Sequence, residues 1–325
     1  MAILVTGGAG YIGSHTTHAL LDRGEQVVVV DNLSTGLRAL VPRTAAFVEG
    51  DIADRSLMTE VIAAHRVDAA IHFAGSVVVP ESVADPLKYY RNNTGATCLL
   101  LEACSSAGVR HVIFSSTAAV YGTPQVSPVP ESAAAAPISP YGRSKLMTEW
   151  MLEDAARAGV LDYIALRYFN VAGADLKGRT GQSTRDATHL IKRACKAALG
   201  RIPFLEIFGT DYPTPDGTGI RDYIHVVDLA NAHLAALDAL RSGKGSGVYN
   251  AGYGRGFSVR DVIRAVERVA GKPLPVREAP RRPGDPASVV ADSSRLRGEL
   301  GWSAQHDDLD EIVRSAYGWE MRLNE

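Results

Sequence analysis

The chain has 325 residues, of which 46% are hydrophobic, so it is long enough to bury a large core in one domain or two. Its 34 basic and 36 acidic residues give a net charge of −2 without a basic stripe, which disfavours nucleic acid as a partner. No segment approaches the ~20 apolar residues that span a bilayer, so no membrane partner is predicted.

The N-terminus and the cysteines favour a cytoplasmic protein. The sequence MAILVTGG lacks a basic region and an apolar core of signal length, which predicts no export. Cys98, Cys104 and Cys195 show no metal-ligand spacing, and their odd number argues against a disulfide framework. His15 and His18 lie on the first predicted helix without a third ligand, so no metal site is predicted.

The first half of the chain alternates short apolar strands with helical patterns. Strands are predicted for AILVT (2–6), QVVVV (26–30), AAFVE (45–49), DAAIHF (68–73), HVIFSS (111–116) and DYIALRYF (162–169). Helices are predicted from Tyr11, after the N-cap Asp54, over about 84–107 and over 141–158. Apolar strands that alternate with helices indicate a parallel sheet covered on both faces. With right-handed connections, this predicts a doubly wound α/β fold with a Rossmann-type sheet.

Beyond Asn170 the chain is richer in polar loops that contain glycine and proline, such as GADLKGRTGQSTRD, DYPTPDGTG and APRRPGDP. This composition predicts a smaller, discontinuous C-terminal domain that closes over the carboxyl edge of the sheet. Within it, HVVDLANAHLAALDAL and GVYNAG predict a strand, a helix and a strand that return to the first domain. The predicted domains are 1–170 with 226–250, and 171–225 with 251–325.

The segment TGGAGYIG (6–13) joins the first strand to the first helix in a pattern typical of dinucleotide binding. Gly7 allows a tight turn, Gly10 allows close approach of a pyrophosphate, and Gly13 allows close packing of helix on strand. The helix N-terminus offers free N–H groups to the phosphates. Asp31 ends the second strand, where its carboxylate can accept both adenosine ribose hydroxyls and would repel a 2′-phosphate. The sequence therefore predicts NAD rather than NADP.

The segment SPYGRSKLMTEW (139–150) predicts a second functional centre at the start of a helix. Ser139 is a suitable N-cap and Pro140 suits the first helical position, which places Tyr141 and Lys145 on one face, a turn apart. The alternative is an aromatic packing residue beside a solvated lysine. A tyrosine has a pKa near 10, so a base at pH 7 needs about 4 kcal/mol of stabilisation of the phenolate. The Lys145 ammonium and the positive nicotinamide ring can supply it.

The glycine spacing, the Tyr141/Lys145 pair and their separation resemble the extended short-chain dehydrogenase/reductase family. Further strings, which are similar to those of its UDP-hexose 4-epimerases, extend the resemblance over nearly the whole chain: GDI (50–52), HFAG (72–75), YYRNN (89–93), FSSTAAVYG (114–122), SPYGRSK (139–145), ALRYFN (165–170) and DGTGIRDYIHV (216–226). The resemblance implies that a tightly held NAD transiently oxidises the sugar at its fourth carbon and interconverts UDP-glucose and UDP-galactose. It also implies a homodimer built from the helices at 84–107 and 141–158.

The resemblance implies roles residue by residue. Tyr141 is the implied base, Lys145 its tuning cation, and Thr117 a hydroxyl that shares the substrate oxygen, where the family usually has serine. The implied cofactor-binding residues are Gly7, Gly10, Tyr11, Ile12, Gly13, Asp31, Asn32, Asp51, Ile52, Phe73, Ala74, Gly75, Asn92, Tyr141, Lys145 and Phe169. The implied substrate-binding residues are Thr117, Tyr141, Asn170, His189, Leu190, Glu206, Phe208, Arg221, Arg282, Asp285 and Val289. A lysine near the nicotinamide ribose in some members is Val77 or Val78 here, and His189 replaces an asparagine.

Related dehydratases and decarboxylases carry acidic residues after the Thr117 position, where this chain has Ala118 and Ala119, so elimination is not predicted. UDP-N-acetylglucosamine and UDP-glucuronate 4-epimerases are alternatives; the uronate would need a further cation, and none stands out. Val289 lies where a bulky tyrosine would block an N-acetyl group, which predicts activity on UDP-N-acetylglucosamine as well. A non-catalytic NAD(H)-sensing protein is the alternative from another class, but such proteins commonly lose the tyrosine or the lysine.

Overall fold

The computed structural model describes residues 1–184, 187–282 and 284–323. Its strands are β1 (Ala2–Thr6), β2 (Gln26–Asp31), β3 (Ala46–Glu49), β4 (Val67–His72), β5 (His111–Ser115), β6 (Asp162–Tyr168), β7 (Asn170–Ala172), β8 (Leu205–Phe208), β9 (Ile220–His225), β10 (Gly247–Ala251), β11 (Gly256–Ser258), β12 (Val276–Ala279) and β13 (Ser288–Val289). Seven of them form a parallel sheet in the order β10-β6-β5-β4-β1-β2-β3. Because the order reverses between β1 and β4, a crevice opens beyond the carboxyl ends of these strands. The predicted doubly wound fold is confirmed.

The helices form two groups, one that covers both faces of this sheet and one that packs with the strands of the second half of the chain. They are α1 (Tyr11–Asp22), α2 (Arg55–His65), α3 (Val79–Ala84), α4 (Pro86–Tyr89), α5 (Ala96–Ser106), α6 (Pro140–Arg157), α7 (Leu190–Ala198), α8 (Val226–Arg241), α9 (Val259–Ala270), α10 (Ser294–Leu300) and α11 (Leu309–Arg322). Ile3 of β1 packs into a core with Leu20 of α1, whereas the next residue, Leu4, packs into a second core with Met58 of α2. This alternation buries β1 on both faces. Within the described residues, no helix combines the length and the apolar character needed to cross a membrane.

A smaller set of strands lies in the second half of the chain. β9 pairs with β7 and β13 in parallel and with β11 in antiparallel, while β8 and β12 form a separate parallel pair. The register places Asn170 of β7 opposite Tyr223, and Val289 of β13 opposite Arg221. This register brings residues from three distant parts of the sequence side by side.

The prediction of one helix over about 84–107 is confirmed over 86–106, and its start is set by the backbone at Asp85. Asp85 has φ −133° and ψ 74°, outside the helical region, because a residue that precedes proline is pushed away from helical geometry. α3 ends before it, and α4 begins at Pro86. A π-helical turn, Tyr90–Gly95, then joins α4 to α5.

The prediction that HVVDLANAHLAALDAL begins as a strand is wrong beyond its first residue, because β9 ends at His225 and α8 begins at Val226. His225 is the N-cap, and its Nδ1 accepts the Val227 N–H at 3.1 Å, which stabilises the first turn. The strand before α8 is β9, which belongs to the smaller sheet and not to the seven-stranded one. GVYNAG does contain a strand, β10, which pairs with β6 in the seven-stranded sheet.

Candidate active site

The motifs of the first 170 residues follow successive strands of the seven-stranded sheet. In chain order, Gly7 follows β1, Asp31 ends β2, Asp51 and Ile52 follow β3, Phe73, Ala74 and Gly75 follow β4, Thr117 follows β5, and Phe169 follows β6. Because parallel strands end at the same edge, these residues lie along the carboxyl edge, on both sides of the point where the strand order reverses. This edge is the candidate active site.

The turn between β1 and α1 has no room for side chains. Gly7 has φ +72°, and its N–H donates to the Val30 carbonyl at 2.9 Å. A Cβ at Gly7 would lie 2.6 Å from the Ala74 nitrogen, and a Cβ at Gly13 would overlap the Gly7 carbonyl oxygen. Gly10 is the N-cap of α1, and none of the described side chains caps this end. The turn therefore presents N–H donors, at close backbone approach, to a phosphate group.

Asp31 holds this turn and keeps further accepting capacity. Its Oδ2 accepts the Ala9 N–H and its Oδ1 accepts the Leu33 N–H, both at 2.9 Å. An ionised carboxylate has about four lone-pair sites, so these two contacts leave others for ribose hydroxyls. Beside it, Asn32 Nδ2 donates to Asp51 Oδ2 at 3.0 Å. With the glycine turn, this donor and acceptor set fits a dinucleotide.

The apolar and aromatic residues of this edge mainly pack. The Tyr11 hydroxyl donates at 2.7 Å to the backbone carbonyl that follows β7, which ties α1 to the second half of the chain. Ile12 is half-buried against the main core, and Ile52 is buried against the opposite face of the sheet. The Phe73 ring lies 4.7 Å from the His233 ring of α8, measured between centroids. Phe73 therefore contributes packing towards α8.

The loop after β4 is tied to α6 by Asn93, which belongs to the string YYRNN but was given no role by the sequence analysis. Asn93 Oδ1 accepts the Ser76 N–H at 2.8 Å, and its Nδ2 donates to the Ser76 carbonyl and to Ser144 Oγ, both at 3.0 Å. The predicted residue Asn92 makes one contact, from its Nδ2 to Ser76 Oγ at 3.2 Å. Two consecutive asparagines in a helical segment were the signal, because a buried asparagine needs partners from other elements.

Tyr141 and Lys145 lie one turn apart on the buried face of α6. Ser139 Oγ accepts the N–H of residue 142, which fixes the helix start that the sequence predicts. Lys145 Nζ donates to the Ser115 carbonyl at 3.0 Å and lies 4.8 Å from the centroid of the Phe114 ring. The two side chains are therefore placed against the carboxyl end of β5, where Thr117 follows.

Burial dominates the electrostatics of this face. It raises the pKa of Tyr141 above its usual value near 10, and a hydrogen bond with the Thr117 hydroxyl partly opposes this rise. Burial lowers the pKa of Lys145 to about 8, and the Glu149 carboxylate opposes that fall. Lys145 is therefore charged below about pH 8 and favours the phenolate form of its neighbour.

Glu149 continues the same helix face one turn after Lys145, and the sequence motifs missed it. Its Oε2 accepts from Arg167 Nη2 at 2.6 Å, and its Oε1 accepts from Ser116 Oγ at 2.5 Å. The available signal was spacing, because residues 141, 145 and 149 share one helical face. A third titratable side chain therefore belongs to the buried face that carries Tyr141.

Residues predicted to bind the sugar nucleotide lie on the smaller sheet and the segments beside it. Asn170 begins β7, Arg221 lies on β9, and His189 is the N-cap of α7. One cavity is lined by Tyr11, Asn170, His189, Leu190, Lys192 and Tyr223. Because Tyr11 belongs to the first turn of α1, this cavity joins the glycine turn to the smaller sheet.

Two arginines predicted to bind the substrate have defined partners. Arg221 Nη2 donates to Asp285 Oδ1, and the Arg282 guanidinium carbon lies 3.9 Å from the centroid of the Phe208 ring. Asp285 and Arg282 belong to the same loop after β12, so this loop reaches both β8 and β9. Glu206 pairs with an arginine of β12 at 2.6 Å. Two guanidinium groups held on neighbouring segments suit recognition of a pyrophosphate.

Val289 lies at the junction of the two sheets. It packs against a buried cluster that includes Phe169, after β6, and Leu146, which follows Lys145 on α6. Its side chain is therefore close to the helix that carries Tyr141. Pro283, within the RRPGD string, lies outside the described residues.

Comparison with known proteins extends over nearly the whole chain. Residues 3–252 match the model of the NAD dependent epimerase/dehydratase family. A UDP-glucose 4-epimerase of Azospirillum brasilense is 60% identical over 99% of this chain and 93% of its own length. The structure is similar to a UDP-glucose-4-epimerase of Stenotrophomonas maltophila with bound NAD and formylated UDP-arabinopyranose (TM-score 0.96, 42% identity, 99% and 98% of the two chains). It is also similar to a UDP-Glc/GlcNAc 4-epimerase of Campylobacter jejuni (TM-score 0.87, 47% identity, 99% of each chain).

Proposed function

Because the chain belongs to the NAD dependent epimerase/dehydratase family, we propose that it is an isomerase that interconverts UDP-glucose and UDP-galactose with NAD as its cofactor. The observation that carries this proposal is the convergence of Tyr141, Lys145 and Thr117 beside a glycine turn that fits a dinucleotide. The 60% identity to a UDP-glucose 4-epimerase along almost the whole chain supports the choice of substrate.

Tyr141 acts as the general base and removes the proton of the sugar's 4-hydroxyl. The Thr117 hydroxyl, which lies beside the phenol, holds the same substrate oxygen. NAD, when bound, supplies the acceptor and then the donor of the hydride at the fourth carbon. Lys145 contributes a positive charge one turn away on the same helix face, which favours the phenolate form of Tyr141. When the 4-keto sugar has turned over, Tyr141 returns the proton, so the inverted sugar leaves without net oxidation.

The residues that would hold NAD are those of the glycine turn and Asp31. The N–H groups at the start of α1 suit the pyrophosphate, and the uncommitted lone pairs of Asp31 suit the adenosine ribose. Lys145 would hold the nicotinamide ribose. Because an escaped keto sugar would leave the enzyme reduced and inactive, the cofactor is held through many turnovers.

Other members of the family eliminate water, and the acidic side chains that they use for this reaction after the Thr117 position are absent at the matching positions here. Ala118 and Ala119 begin the 3₁₀ turn that directly follows Thr117. A dehydratase needs an acid and a base at this place, and neither methyl side chain can transfer a proton. The described geometry therefore favours epimerisation over elimination.

For the substrate, we assign the pyrophosphate to Arg221 and Arg282, and we include His189 and Leu190 among the other residues that contact the UDP-sugar. The contacts that hold Arg221 and Arg282 support the first assignment. The proposed substrate-binding residues also include Asn170, Glu206, Phe208 and Asp285.

We propose two domains, 1–170 with 226–250, and 171–225 with 251–325. The pairing of β10 with β6 and of β11 with β9 supports this division.

We also infer a homodimer that joins the helices at 84–107 and 141–158. Leu87 on α4 is 72% exposed, and Trp150 on α6 is 55% exposed. Large apolar side chains at these levels of exposure, on helices that pack together, favour a protein interface.

The proposed location is the cytoplasm, supported by the free thiols of all three cysteines. The proposed pathway is galactose metabolism.

The catalytic pair can be tested with purified protein and UDP-galactose, without added NAD. The wild type should form UDP-glucose, and Tyr141→Phe should lower kcat about 10²- to 10⁴-fold with NAD still bound, because proton transfer is lost. Tyr163→Phe, at another buried tyrosine, is the control and should stay active.

Lys145→Ala should shift the acidic limb of the pH profile to higher pH, because the phenolate loses a stabilising charge. Full activity of Tyr141→Phe, or an unchanged profile in Lys145→Ala, would exclude the corresponding role.

Asp31→Ala should weaken NAD binding and relax discrimination against NADP. The carboxylate also accepts the Ala9 N–H, so the turn itself is loosened in this variant. Asp31→Asn is the closer variant, because it keeps the size of the side chain and one acceptor oxygen while it removes the charge that repels a 2′-phosphate and one of the two backbone contacts. After equilibration with equal concentrations of both nucleotides, chromatography should find more bound NADP in both variants than in the wild type. The same NAD-to-NADP ratio in all three proteins would contradict this role.

The dimer can be tested by light scattering after size-exclusion chromatography. Trp150→Glu should shift the protein towards the mass of a monomer, because it places a charge in the proposed apolar interface. Met321→Glu on α11 is a control with the same exposed fraction, 55%, and should leave the mass unchanged. A monomeric wild type, or a dimer that tolerates Trp150→Glu, would contradict the proposed interface.

Val289 should set the width of the sugar pocket. Valine leaves space for an N-acetyl group at the sugar's second carbon, so the enzyme should also use UDP-N-acetylglucosamine. Val289→Tyr should lower kcat/KM for the N-acetyl substrate more than for UDP-glucose, whereas Val289→Ala should keep the ratio of the two. If tyrosine depresses both substrates equally, pocket width is set by another residue.

A further inference from the structure

The buried ion pair of Glu149 and Arg167 lies next to Lys145, one turn further along the buried face of α6. Glu149 is 3% exposed and Arg167 is 7% exposed. Arg167 Nε donates to both carboxylate oxygens, at 3.0 and 3.2 Å, in addition to the 2.6 Å contact from Nη2. Arg167 also donates to the Tyr121 hydroxyl at 3.0 Å. A pair this enclosed has a defined geometry, because neither charge has water as an alternative partner.

The carboxylate joins three elements, two of which carry the reacting groups. Glu149 belongs to α6, Arg167 to β6, and Ser116, whose hydroxyl donates to Glu149 at 2.5 Å, directly follows β5. The residue after Ser116 is Thr117, and Glu149 lies two turns beyond Tyr141. One side chain therefore fixes the end of β5 against the helix that carries the base.

The same carboxylate faces the Lys145 ammonium from one helical turn away. The other titratable groups near Lys145 are Tyr141 on α6, His72 at the end of β4, and Tyr168 of β6, whose hydroxyl bonds Ser115 Oγ at 2.6 Å. Both ring nitrogens of His72 are hydrogen-bonded to threonine hydroxyls, and burial lowers its pKa to about 3. The two tyrosines have raised pKa values. Among these described neighbours, Glu149 is the one carboxylate, and it is held in an ion pair with Arg167.

Around Glu149 itself, the titratable groups are Arg167, Lys145, Tyr163 on β6 and Glu153 on α6. Glu153 is one turn further along and forms an exposed pair with Arg157 at 2.6 Å. It offers a matched carboxylate on the same helix, outside the buried face.

We propose that Glu149 is a positioning residue for the epimerase reaction: it fixes Thr117 against Tyr141 through Ser116, and it keeps Lys145 charged. This inference rests on the proposed function. The first role depends on the hydrogen bond to Ser116, and the second depends on the negative charge. The two roles can therefore be separated by substitution.

The test compares holoenzymes with bound NAD in the UDP-galactose assay, from pH 5 to about pH 10. Ser116→Ala keeps the charge and removes the link, so kcat should fall about 10- to 100-fold while the alkaline limb stays in place. Glu149→Gln removes the charge, so the alkaline limb should also move to lower pH by about one unit, because Lys145 loses its proton earlier. KM should change less than kcat in both. Glu153→Gln should leave kcat and the profile unchanged.

Glu149→Gln leaves Arg167 without its counter-charge, so folding is checked by circular dichroism and by NAD content. If this variant does not fold, Glu149→Met/Arg167→Met, which removes both charges, takes its place and should show the same shift of the alkaline limb. Wild-type kcat and an unmoved limb in the folded variants would overturn the proposal, even if their melting temperatures were lower. A wild type that does not convert UDP-galactose would overturn the proposed function, and this inference with it.

Discussion

Tyr141, Lys145 and Glu149 stand one turn apart on a helix face that the sheet covers, where the charged form of each side chain loses the stabilisation of water. Each must find its stabilisation in the protein. Lys145 does so at the Ser115 carbonyl, and Glu149 does so at Arg167 and Ser116. These contacts reach β5 and β6, so the chemistry of one helix face determines how three elements of the fold are placed against each other.

The smaller sheet packs near the carboxyl edge of the seven-stranded sheet. β9 pairs with both β7 and β13, and this register brings Asn170, Arg221 and Val289 together from distant positions in the chain. The Tyr11 hydroxyl and the cluster around Phe169 then fasten this sheet to the seven-stranded one. A cofactor at the carboxyl edge and a substrate on the smaller sheet would meet beside α6. The discontinuous chain path is thus a way to bring two binding surfaces to one helix.

Local sequence predicted β1 to β6, because runs of valine, isoleucine and leucine bounded by turns leave few alternatives. It also predicted the start of α6 from Ser139 and Pro140. It was wrong at one strand end, because His225 caps α8 with its own ring and the helix begins at the next residue. For the candidate site, the motifs indicate which residues lie at the strand ends, and their roles stay predictions. Glu149 could not be found by motif, because its partner Arg167 lies on another element.

Family membership alone does not decide the reaction, because dehydratases and epimerases can share the sheet, the glycine turn and the tyrosine with its lysine. The distinction depends on what surrounds Thr117. Two methyl groups at Ala118 and Ala119 add no acid or base directly after Thr117, and the proposed base, Tyr141, supports removal and return of one proton. An elimination needs a second acid or base in a fixed place. The small side chains of Ala118 and Ala119 therefore favour epimerisation over elimination as much as the proposed base Tyr141 does.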